Sequence, residues 1–171
     1  VARSDVISPQ IEADPTRIAP PKVQLPVVGA LIDLPETPFG SGPHFAATSS
    51  NWNSGVALYR SGDGESFQLW QSLQQRAIMG RLTSALDKGR SDLWDRRNGP
   101  EVELVSGTLA SVGEAAVLAG ANYAAIGDGQ PDTWEIVQFA YAELAGPKRY
   151  RLSRLLRGRF GTEVQSHGPD A

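Results

Sequence analysis

Turn residues cut this sequence into short pieces, which limits it to folds assembled from short elements. Its 171 residues include 18 glycines and 12 prolines. Gly-, Pro- and Asp/Asn-containing clusters at 35–44, 61–65, 98–100 and 127–131 separate apolar runs that are themselves short. The clearest case is the pair Val56 to Arg60 and Ser66 to Leu73, divided by Ser61-Gly62-Asp63-Gly64-Glu65. Phe67, Leu69 and Leu73 recur with period two, and Asp63-Gly64 supplies a positive-φ turn, so this segment predicts a β-hairpin. The apolar stretch Gln24 to Leu34 is rich in β-branched residues and predicts the first strand. Further strands are expected at 76–83, 101–106, 122–127, 134–144 and 149–152.

One short helix interrupts the β pattern. Ser111-Val112-Gly113-Glu114 fits a capping box, in which serine and glutamate each satisfy an orphaned backbone amide. Ala115 to Ala119 are mostly good helix formers, and Gly120 suits the left-handed closing position. Together these elements predict a mainly β chain: an antiparallel sandwich or barrel-like domain with one short helix at about 111–119. Residues 1–22, with Pro9, Pro15, Pro20 and Pro21, read as an extended linker or arm. Residues 23–163 read as the β-rich domain and 164–171 as a polar tail.

The bulk properties exclude several function classes. A chain of this length buries roughly 70% of its unfolded surface, so it needs neither disulfide nor metal to hold a core. It has no cysteine, which removes thiolate nucleophiles and cysteine metal sites. A net charge of −3 gives no global attraction to nucleic acid. No apolar run is long enough to span a bilayer. The start Val1-Ala2-Arg3-Ser4-Asp5 lacks an initiator methionine and an apolar signal core, and reads as a piece of a longer chain.

Candidate chemistry is sparse. Only His44 and His167 could serve as bases, and no serine sits in a nucleophile elbow. His44 follows Pro43 in a loop and His167 lies in the polar end of the chain, so each reads as a surface histidine. Asp63 and Glu65 read as hairpin-turn residues, as do Asp128 and Asp132 in a second turn, whose spacing lacks the further carboxylates of an EF-hand. No cofactor is expected. The stretch Lys148 to Arg159 is the one concentration of positive charge; arginines there suit a subunit interface better than a nucleic-acid groove. Trp52, Tyr59, Trp70, Trp94 and Trp134 read mainly as core, with Trp52 in Asn51-Trp52-Asn53-Ser54-Gly55 the exception because its surroundings form a loop.

An ordered set of motifs adds a resemblance. Asn51 to Gly64 is similar to a tryptophan–glycine–strand–Ser-x-Asp-Gly hairpin of phage tail proteins. Trp94-Asp95-Arg96-Arg97-Asn98 resembles their Trp-Asp-x-x-Asn, and Leu109 to Asn122 their capped helix with its Gly-x-Asn stop. Glu135-Ile136-Val137-Gln138-Phe139 resembles their Glu-x-x-Gln-Phe strand. Leu155-Leu156-Arg157-Gly158-Arg159-Phe160-Gly161-Thr162 resembles Leu-Leu-Arg-Gly-x-x-Gly-Thr, with Phe160 a departure where a basic residue is common. The matches run in order over about residues 25 to 163.

The resemblance is to the tail-tip or baseplate hub modules of the large multidomain host-specificity proteins of gene transfer agents and siphophages. It implies a non-enzymatic structural module of a virion or phage-like particle, made in the bacterial cytoplasm and contributing to assembly and host-surface attachment. Its implied partners are other baseplate proteins and neighbouring domains of the same chain, in a homotrimer, with a host envelope glycan as a possible ligand. Such proteins also carry a glycoside-hydrolase-like barrel; nothing here resembles it, so no hydrolase activity is carried over. Arg154, Arg157 and Arg159 are the candidate assembly contacts, and Trp52 a candidate for assembly or ligand contact. The alternative from another class is a carbohydrate-binding module for envelope glycans, attached to a glycan hydrolase.

Overall fold

A computed structural model describes residues 28–33, 43–49, 52, 55–130 and 133–171. The chain is mainly β, with one short helix. Strands β1 (Val28–Asp33) and β2 (Pro43–Thr48) form an antiparallel pair, and so do β3 (Val56–Arg60) and β4 (Gln68–Leu73). The remaining strands, β5 (Met79–Leu82), β6 (Glu101–Ser106), β7 (Tyr123–Ile126), β8 (Glu135–Gly146) and β9 (Arg149–Leu156), make one antiparallel sheet in the order β5-β6-β9-β8-β7. That sheet curls into a half-barrel. The arm 1–22 and residues 24–27 of the first expected strand lie outside the described residues.

The hairpin forms as the turn chemistry predicts. Gly64 takes φ +76, and Asp63 Oδ1 accepts from the Ser61 hydroxyl and from the Glu65 and Ser66 amides at 2.8–2.9 Å. Strand β2 was not anticipated, because Pro43 argues against a strand interior; the structure places it as the first strand residue, where no ladder amide is required of it.

Two clusters of buried side chains lie along the sheet. Leu82, Leu86, Leu104, Ile126, Val137, Phe139, Tyr150, Leu152 and Leu155 form the main core. Val117, Ala140 and Leu156 form a smaller one with Trp94 and Val112. Because both clusters draw on β8, its first half, Glu135 to Ala140, is buried at every position rather than at alternate ones. Strand β9 breaks its alternation at Arg154, whose φ is +56; Leu152 and Leu155, three residues apart, consequently both join the main core.

The helix, α1 (Glu114–Leu118), is shorter than expected and has no capping box. Gly113 is its N-cap without a side-chain bond; Ser111 Oγ instead accepts from the Ala142 amide at 3.0 Å, tying the loop to the sheet. At the other end Gly120 takes φ +102, as expected of a closing glycine. Gln138 Nε2 donates to the Val117 and Ala121 carbonyls, satisfying acceptors that a helix end leaves without partners.

The segment 164–171, expected as a polar tail, is a strap on the sheet. Leu86 and His167 exchange backbone hydrogen bonds, and Leu82 bonds to Ala171 and Asp170. In this antiparallel register residues 167–171 run along residues 82–86, meeting β5 at its last residue, Leu82, and Arg81 adds an ion pair to Asp170 at 2.6 Å. Val164 and His167 are buried beneath it. The edge of a sheet is a row of unpaired donors and acceptors, and here the chain itself pairs the end of one edge, at Leu82.

Candidate functional site

The most concentrated chemistry in the fold is a buried ionic knot where β8, β9, the 87–95 loop and the strap meet. Arg157 has no exposed side-chain surface, and neither has Glu135. Their pairing is a bidentate fork: Nε to Oε1 at 2.6 Å and Nη2 to Oε2 at 2.7 Å. Arg157 also donates to the Asp87 and Gln165 carbonyls and stands 3.6 Å from Asp95 Oδ2. Glu135 further accepts from the Gly158 and Gln165 amides and pairs with His167 Nε2 at 3.0 Å. Burial alone would raise the Glu135 pKa. Hydrogen bonds from His167 and Arg157 outweigh burial and lower it from 4.5 to about 2.

Asp95 organises the adjoining loop. Its Oδ1 accepts from the Arg97 and Asn98 amides, and its Oδ2 from Asn98 Nδ2 at 2.7 Å. Burial opposes ionisation here too, but the Asn98 and Arg97 bonds and the Arg157 charge hold its pKa below the usual carboxylate range. The backbone of Asp95 bridges Leu155. Thr162 Oγ1 accepts from the Ile136 amide at 3.0 Å. Three segments far apart in sequence, Trp94–Asn98, Glu135–Phe139 and Leu155–Thr162, are therefore parts of one junction.

This geometry corrects two readings. Arg157, expected at an assembly surface, is fully buried and cannot touch a neighbour. His167, expected at the surface, is 6% exposed and bonded to Glu135. Glu135 was not singled out for any chemistry; the available signal was an acidic residue opening a mostly apolar strand. Nothing around His167, in Ser166-His167-Gly168-Pro169, signals burial.

The other expected contact residues are spread over the fold. Arg154 is half-buried and pairs with Glu114 at 3.1 Å, linking β9 to the helix. Arg159 is half-buried in the 3₁₀ turn Arg159–Gly161, and its Nε is enclosed without a hydrogen-bond partner. Trp52 is half-buried and donates from Nε1 to the Gln74 carbonyl at 3.1 Å, bracing the base of the β3–β4 hairpin. The exposed tryptophan is Trp70, at 43%. Asp128 is a turn residue, its Oδ1 bonded by the Thr133 hydroxyl and the Gln130 amide. Asp132 lies outside the described residues, and among those described no cluster of acidic and histidine side chains could hold a metal.

A second feature is concave and apolar. The inside of the half-barrel is a groove of about 540 Å³ between β5 and β7. Ile78, Leu104, Ile126, Trp134, Phe139 and Leu152 are among its walls. None of the knot carboxylates lines it. Leu104, Ile126, Phe139 and Leu152 are nonetheless buried, and Ile32 of β1 and Ala46 of β2 line the same space.

No helix among the described residues is long and apolar enough to cross a membrane. Comparison with curated proteins gives no match. A match is found to a family named after a gene-transfer-agent-related gene of Rhodobacter capsulatus. The matched residues, 77–171, are those that form the five-stranded sheet, the helix, the knot and the strap. The chain belongs to the Rcc01698-like, C-terminal family.

Proposed function

We propose that this chain is a non-enzymatic structural module of a gene-transfer-agent-type particle, placed at the tail tip, where it contributes to assembly and host attachment. The observation that carries this reading is how the motif residues are spent. Arg157, Glu135, Asp95 and Thr162 all bond one another or neighbouring backbone, inside the protein. Groups saturated in this way stiffen a scaffold and leave no base or nucleophile for a substrate. The family match over 77–171 supports the particle setting. In the particle the chain is expected to act with other baseplate proteins, in a trimer, through its exposed surfaces.

Incorporation into particles tests this. Purified particles from a producing strain should contain the chain, labelled at one end by tail-specific antibody in electron micrographs. Particles that form, attach and transfer DNA normally without it would overturn the proposal.

The exposure of Trp70 favours a second reading, recognition of envelope glycans. Calorimetry of the domain against such glycans, beside Trp70→Ala and Trp52→Ala, separates the two. Saturable binding lost in Trp70→Ala supports glycan recognition; no binding by the folded protein leaves assembly as its role.

A further inference from the structure

We draw no further inference here: the strongest candidate, the exposed Leu69–Trp70 patch on β4 of the β3–β4 hairpin, is an unpartnered apolar face, and nothing in the structure shows what covers it.

Discussion

At the scale of single residues, Arg157 and Glu135 set the terms of stability. A buried ion pair gains little over apolar packing of the same volume, but removing one partner strands the other charge without water. Arg157→Met should therefore destabilise the fold by about 3–5 kcal/mol in urea unfolding. A double Arg157→Met, Glu135→Leu variant should recover part of that loss. The same pair gives the protein an acid dependence. The Glu135 pKa is about 2 when folded, against an ordinary 4.5, so its contribution is fully present above the ordinary value. It is lost as pH falls from about 4.5 toward 2, and Asp95, also lowered, acts in the same direction. Urea midpoints across this range should fall with pH in the wild type and fall less steeply in Glu135→Gln.

At the scale of elements, the helix and strap are held by partners far away in sequence. Helix α1 is too short to persist alone, and its docking depends on Gln138 and the contacts of Val117. Its N-cap is Gly113, extended at φ −69 and ψ 153, with open space where a Cβ would stand. Gly113→Ser should supply the missing cap and raise stability by a few tenths of a kcal/mol, measured by thermal melting. The strap is expected to matter far more. Truncation after Glu163 removes Val164 and His167, and frees the backbone groups of Leu82 and Leu86 that the strap bonds. We expect a loss above ~3 kcal/mol, the range for breaking a buried network, and a rise in dye-detected aggregation.

For the whole molecule, stability is distributed unevenly. The five-stranded sheet is buried along the first half of β8 and tied by the knot, whereas β4 of the hairpin is exposed from Gln68 to Ser72. Amide hydrogen exchange should show this division: amides of β6, β8 and β9 protected by orders of magnitude more than those of β3 and β4. A uniform protection pattern would overturn this division.

The sequence by itself determined the elements that depend on local chemistry. Alternation and turn residues specify the hairpin at 56–73, the strand 101–106 and the mainly β class, because a strand's period and a glycine's positive φ are properties of neighbours in the chain. Other features needed the tertiary structure because their cause is remote. Ser111 had a plausible cap to make, yet Ala142 across the loop took its hydroxyl. Arg157 and His167 look solvated in their own surroundings, and only the approach of Glu135 from β8 makes their burial favourable. Residues 164–171 contain too few apolar side chains to read as structure, but the backbone of Leu82 and Leu86 supplies hydrogen bonds that fix them. Charge burial and edge covering depend on partners dozens of residues away, so the fold decided which arginine was free to meet another molecule and which was already spoken for.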